Sequence, residues 1–464
     1  MDNLSLIVDN ALLITMKPGQ DKAYAGWFAV DDLGRIADIG EGRAPAGLAA
    51  AERFDAGGRF VAPGFISAHS HLSTSGSRGL GIDVPLYGWG QQMTQYTRHC
   101  DADDIYWVVL HGALDFLSNG ITTAYDFTDT SLPFIVVDNG KRVQFGELKP
   151  KTYAQSQFRA KIDAGIRFIN SVLINDQIGT EDEITDRFES ILDYARAYPD
   201  SGQYLGTAIS GSVQWSETPE TATREVALMR KHKIINQPHF LETPEQVELQ
   251  RSKFVWYEAA GALGPDLIFG HFVHPTHDQI ATAARCGCAM CWQPTSNGRL
   301  ASGFADIPRI IAAGMRVGVG LDDQACTDIS DPFQNMRMGI YMQRAHHQDA
   351  KAMGVAQMLR LHTMGSAEAL GISDRVGSLE IGKFADFVIV DPKLPDTGPV
   401  WDPVATYVLA CGLRNLKAVY VGGRCVNREG VSASPLAARA SEEMHARLGR
   451  IAAGVAASPE LAPA

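Results

Sequence analysis

The sequence predicts an α/β fold: βαβ units around a parallel sheet, with a small β-sandwich assembled from both ends of the chain. Two observations carry this. Through the middle of the chain, apolar strand-like runs alternate with helical stretches, and strands covered on both faces read as such near-continuous runs. At each end lies a set of short strands too small to stand alone, so the two sets are expected to pair beside the central sheet.

In chain order, residues 4–58 hold the runs 4–8, 11–15 and 27–30, punctuated by Gly34, Gly40 and Gly57-Gly58. The strand-like runs of the middle are 120–125, 167–173, 234–241, 267–272 and 317–321. Residues 131–152 read as a partly charged excursion between elements, of the kind that forms surface loops, lids or subunit contacts. Runs 387–390 and 418–421, the latter followed by Gly422-Gly423, return the chain to the small sheet. The Ala-rich stretch from Pro435 has helical spacing and suits a cap on the fold, a subunit contact or a solvated end. The expected division is 1–58 plus 372–434 for the sandwich, 59–371 for the central unit, and 435–464 for the terminal helix and tail.

Composition narrows the function. With 464 residues, 45% of them hydrophobic and 20% charged, the chain has ample material for a large core. Its 41 Lys+Arg stand against 53 Asp+Glu, a formal charge of −12. Nucleic-acid affinity needs clustered basic residues, and no basic run is present, so no nucleic-acid partner is expected. Seven cysteines scattered from Cys100 to Cys425 do not make a disulfide framework. No stretch approaches the roughly 18 apolar residues that span a bilayer, and the N-terminus lacks a basic leader. A cytoplasmic protein with no membrane partner is expected.

The strongest local signal is the segment from Ala62 to His71, a strand ending in His69-Ser70-His71. Side chains at i and i+2 of a strand point the same way, so both imidazoles can meet one metal ion. Other groups of metal-ligand type recur at the ends of strand-like runs: His239, with Glu242 three residues on, His271 and Asp322. In a barrel of parallel strands these ends share one mouth, where active sites are built. An isolated histidine beside an apolar run is more often a satisfied core residue; the joint occurrence points to a metal site. Cys286, Cys288 and Cys291 lack a fourth ligand at zinc-finger spacing and read as structural. His274 and His277 exceed what one site needs, and His346-His347 read as solvated on a helix.

The segments PGFISAHSHL (63–72), HFLET (239–243), GHFVH (270–274), PTSNGRLASG (294–303), GVGLDDQACTD (318–328) and VGSLEIGKFADFVIVD (376–391) resemble the amidohydrolase superfamily. The branch is that of triazine hydrolases and cytosine/adenosine-type deaminases. The resemblance runs over nearly the whole chain in the right order. It implies a (β/α)8 TIM-like barrel with a composite β-sandwich from both termini, and commonly a homo-oligomer. By motif position, His69, His71, His239 and Asp322 resemble the ligands of one divalent metal, Zn²⁺ or Fe²⁺. Glu242 resembles the proton shuttle, and His271 the group that orients water or polarises substrate. The bridging Lys of binuclear relatives has no counterpart in 204–210, which implies one metal. Leu321 stands where Thr commonly precedes the metal Asp, and Asp323 where Gly or Ser commonly follows.

The implied chemistry is hydrolysis of a C–N bond at an sp² carbon of a small molecule. One form acts on an N-heterocyclic amine (triazine, purine, pyrimidine or pterin). The other cleaves an amide, urea, carbamate or thiocarbamate. A catalytically inactive binding barrel is the non-enzyme alternative. Leu86 and Trp89, after the first ligand strand, Gln214 and Trp215 after the fourth, and Asn297 after the seventh are the candidate substrate residues.

Overall fold

The computed structural model describes residues 4–20, 22–129, 134–137, 141–144, 147–198 and 202–457. Eight parallel strands form the barrel: β1 Phe65–His71, β2 Ile121–Phe127, β3 Arg167–Leu173, β4 Tyr204–Ser210, β5 His239–Phe240, β6 Ile268–His271, β7 Ala289–Trp292 and β8 Arg316–Val319. β1 to β4 pair in sequence, as do β5 to β8. Parallel bridges from Ile209 to Asn236 and from Asn236 to Leu267 join the two halves. Asp322-Asp323, just past β8, pairs with Ser70 and His71 of β1 and closes the ring.

The strands are covered by helices whose ends and faces follow from sequence. Helix Glu181–Arg196 starts at a Thr180/Glu183 capping box. It buries Ile184, Phe188, Leu192 and Ala195, one stripe of a 3.6-residue period, the first three in one cluster with Val172 and Ile209 of β3 and β4. Helix Lys151–Ala164 stops at Gly165, whose φ of +85° ends the helix in the left-handed region. The strand expected over 234–241 is shorter than its apolar run. Pro238 has no N–H to give a ladder, so pairing is confined to Asn236 and to β5.

The chain ends build one nine-stranded sheet. Phe387–Val390, from the C-terminal part, lies antiparallel to Phe60–Pro63. The runs 4–8 and 11–15, expected as two strands, are one strand, Leu4–Leu13. Its register jumps between Val8 and Ala11, where Asn10 takes a φ of +55°. Phe28 lies three strands away from Phe387 in the sheet, roughly 14 Å if the sheet were flat. Their ring centroids are 5.0 Å apart, so the sheet rolls around a shared core. Arg167 of β3 fixes the barrel to this sheet through a buried two-point bond to Asp386 (2.6 and 3.0 Å).

Helix Ala437–Ala457 caps this chain's own barrel. It buries Met444 and Ile451, and Arg447 bonds Asp104 (2.8 Å) and Asp103 (2.6 Å) at the start of helix Ala102–Ser118. Residues 458–464 of the tail lie outside the described residues. Of the 131–152 excursion, Phe134–Val137 and Lys141–Gln144 form an antiparallel hairpin, while 131–133, 138–140 and 145–146 lie outside them. No described helix is long and apolar enough to cross a membrane.

Candidate metal centre

β1 delivers His69 and His71 with Nε2 atoms 3.4 Å apart. β5 opens with His239, whose Nε2 is 3.1 Å from that of His71. Asp322 Oδ1 lies 3.5 Å from His69 Nε2 and 3.7 Å from His71 Nε2. Ligand atoms about 2.0–2.1 Å from a tetrahedral ion stand about 3.3 Å apart, so these four pairs have the spacing of neighbours in one coordination shell. Phe127, at the end of β2, packs on all three imidazoles, with centroids 4.5–4.7 Å away.

The local chain explains the placement. Gly320 lets the exit of β8 run against β1: a Cβ there would meet His69 O at 2.6 Å and His69 Cβ at 2.7 Å. Leu241, His271 and Asp322 all take left-handed φ values, +56°, +66° and +65°. Such conformations cost non-glycine residues on the order of 1 kcal/mol or more each, and they collect where geometry serves a site.

The donor atoms are oriented from behind. Gln237 Nε2 donates to Ala68 O (3.0 Å), which turns its Oε1 toward His69 Nδ1 (2.5 Å). That nitrogen therefore carries the proton and Nε2 keeps an inward lone pair. Ser296 Oγ donates to Asp322 Oδ2 (2.6 Å). Asn297 Nδ2 donates to His271 Nδ1 (3.0 Å), which leaves the proton of neutral His271 on Nε2.

Protonation states suit a cation. Burial, helped by His69, holds His71 down to about 3, and burial with the neighbouring imidazoles holds His239 well below its ordinary value. Burial brings His271 to about 3. Burial opposes the charge on Asp322, but His271, His69 and His71 keep its carboxyl well below the usual range. Burial and the Asp322 charge push Glu242 well above it. Glu242 Oε1 is 3.5 Å from His271 Nε2, and both Glu242 Oε2 and His271 Nε2 are buried without a hydrogen bond in the structure. The neutral imidazoles of His71 and His239, the inward Nε2 of His69, one carboxylate and these orphaned atoms fit a divalent metal with water beside it.

The cluster floors a cavity of ≈ 210 Å³. Leu86, Trp89 and Trp215 line it, as do Met93, Phe127 and Asp323, which sequence reasoning passed over. Phe127 was findable, since it ends a barrel strand as the histidines do; Asp323 stood out only as a departure from the family pattern, and Met93 carries no signal beyond neighbouring Trp89. Gln214 and Asn297 do not line the cavity: both are buried, and Asn297 stands behind His271. The other cysteine and histidine candidates stay apart from the cluster. Cys288 and Cys291 are buried and free, His274 bonds Ser302 O, and His346 stacks on Phe304.

The sequence profile of the amidohydrolase family matches residues 60–426. The chain belongs to the amidohydrolase family. As an amidohydrolase it is a hydrolytic enzyme acting on C–N bonds, and the reading as an inactive binding barrel falls away. A 5-methylthioadenosine/S-adenosylhomocysteine deaminase of Syntrophobacter fumaroxidans is 27% identical over 430 residues, 91% of this chain and 92% of that protein. An adenosine deaminase from Xanthomonas campestris with bound zinc superposes with a TM-score of 0.83 at 22% identity, covering 97% of this chain and 99% of that one. The zinc complex of atrazine chlorohydrolase from Arthrobacter aurescens TC1 gives 0.81 at 19%, covering 96% and 100%. The expected barrel with a β-domain from both termini is the fold of this amidohydrolase; the domain expected as a sandwich is a single nine-stranded sheet rolled on itself.

Proposed function

We propose that this amidohydrolase hydrolyses a C–N bond at an sp² carbon of an N-heterocyclic amine, using one divalent metal held by His69, His71, His239 and Asp322. The 3.1–3.7 Å pair distances His69–His71, His71–His239, His69–Asp322 and His71–Asp322 carry the reading. Zinc is favoured over iron because the relatives named above include zinc complexes. A divalent cation in such a site acidifies water from about 16 toward 7, so hydroxide is available at neutral pH.

The chain's own groups do the rest. Glu242, with its raised affinity for protons and a free Oε2, takes a proton from water and hands it to the leaving amine or a ring nitrogen. His271 presents Nε2–H toward Glu242 and Asp322, where it would hold the attacking oxygen in line, while the electron pair displaced onto the ring nitrogen is met by the proton from Glu242. Trp89, Phe127 and Trp215 offer flat apolar walls that suit a planar ring. Leu86 belongs to the same wall, and Asn297 acts through His271, which it orients.

The test is a mass-spectrometric product screen on zinc-loaded protein, with Asp322→Ala as control. The panel holds 5-methylthioadenosine, S-adenosylhomocysteine, adenosine, guanine and atrazine beside N-alkyl ureas, carbamates and anilides. Ammonia or an alkylamine released from a ring supports the proposal. Release from ureas, carbamates or anilides alone replaces the heterocycle with an acyl-type substrate. The proposal extends to a cytoplasmic homo-oligomer, supported by seven free cysteines and by the assemblies common in relatives; light scattering tests the second part.

A further inference from the structure

We propose that Lys253 is a positioning residue for substrate recognition: its buried ammonium fastens the turn that carries Trp215 and so fixes the aromatic wall beside His239. The inference rests on the cavity being the substrate pocket, as read above. Lys253 lies between helices Val247–Ser252 and Phe254–Ala260 and is 3% exposed. Its Nζ donates to Gln214 O (2.6 Å) and Ser216 O (2.8 Å), the carbonyls on either side of Trp215. Trp215 ends the short turn Val213–Trp215, lines the cavity, and holds its ring 5.5 Å from that of His239 at an interplanar angle of 43°.

The same turn is held from its other side. Ser212 N donates to Glu225 Oε1 (2.7 Å), and Ser216 Oγ pairs with Thr221 Oγ1 (2.7 Å). Lys253 adds a clamp from the segment after β5, the strand that carries His239. A buried ammonium is costly, and an apolar side chain of similar shape would pack as well. Burial draws this one down to about 8 against the attraction of Glu217. What the charge adds is two short charge-assisted bonds that specify where the turn sits. Replacing Lys253 by Met keeps the stem's packing and removes both donors. Trp215 then shifts relative to His239, and substrate loses a wall while Glu242 and the metal ligands stay in place.

The experiment uses the full zinc-loaded chain with Lys253→Met, Trp215→Phe and Trp215→Ala. In protein labelled with 5-fluorotryptophan, the ¹⁹F resonance missing from Trp215→Phe identifies Trp215 among seven tryptophans. Lys253→Met is expected to shift or broaden that line, a readout that needs no turnover and so survives failure of the proposed reaction. With whichever panel compound is turned over, Lys253→Met is expected to raise KM about ten-fold and leave kcat within about two-fold. Added to Trp215→Ala, it is expected to raise KM no further. An unmoved Trp215 line, an unchanged KM, a kcat loss without a KM change, or an effect that adds in full to Trp215→Ala overturns the proposal. Should Lys253→Met fail to fold, Lys253→Gln keeps a donor for one carbonyl and is expected to show a smaller effect of the same kind.

Discussion

Glu242 shows how one side chain acquires its role from position. It sits three residues beyond His239, on the strand end that also places a ligand, and burial beside Asp322 raises its proton affinity. Glu242→Gln keeps size and hydrogen bonding but cannot accept the proton. Bound zinc, measured by elemental analysis, is expected to stay at wild-type level while kcat falls about 10²–10⁴-fold. Near-normal turnover would remove Glu242 from the mechanism. Gln237 works at one remove, since its amide fixes the proton of His69 on Nδ1. Gln237→Leu is expected to weaken zinc affinity about 10–100-fold in a competition titration with a chelator, with the fold intact. A variant that binds zinc as tightly as wild type would mean that the imidazole orients itself.

At the scale of elements, strands place chemistry at their C-terminal ends, and this much was legible from the chain alone. His69, His71, His239, His271 and Asp322 each end or follow an apolar run, and β1, β5, β6 and β8 bring them together. What stayed hidden lies between elements. Asn297 reads from sequence as a pocket residue because it follows β7; the short helix Pro294–Arg299 turns it behind His271. Lys253 gives no signal, because its partners are backbone carbonyls 37 and 39 residues away. Gly320 is similar: its need for a bare Cα arises only once β8 meets β1. Gly320→Ala forces a methyl against His69 backbone and side chain, which overpacks the core by about 1–3 kcal/mol and tilts a ligand. Its melting temperature and zinc affinity are expected to fall together. A stable variant with normal zinc affinity would show that β1 and β8 tolerate separation.

For the whole molecule, metal binding, folding and protonation are coupled. Imidazole in the unfolded chain takes a proton near pH 6.5, whereas His71 and His271 in the fold resist protonation until about 3, and His362, buried under β1, until about 4. Between those values the unfolded chain binds more protons, so stability is present above pH 6.5 and is lost as pH falls toward 4. Glu242 works the other way: its raised affinity favours the fold at low pH, and that contribution fades as pH rises. Asp323 and Asp331, raised by burial as Glu242 is, act with it; these three carboxyls against the depressed imidazoles of His71, His239, His271, His362, His111 and His274 leave the net slope with the histidines. Zinc adds about 2.7 kcal/mol when its free concentration is 100 times Kd, and it needs the same nitrogens unprotonated. Scanning calorimetry from pH 7.5 to 4.5 is therefore expected to show falling melting temperatures with and without zinc. The gap between the two curves is expected to hold across this range, because burial keeps His71 and His239 of the folded chain unprotonated throughout it. A gap that closes toward pH 4.5 would mean that the ligand imidazoles of the folded chain take up protons in this range and are not held neutral by burial.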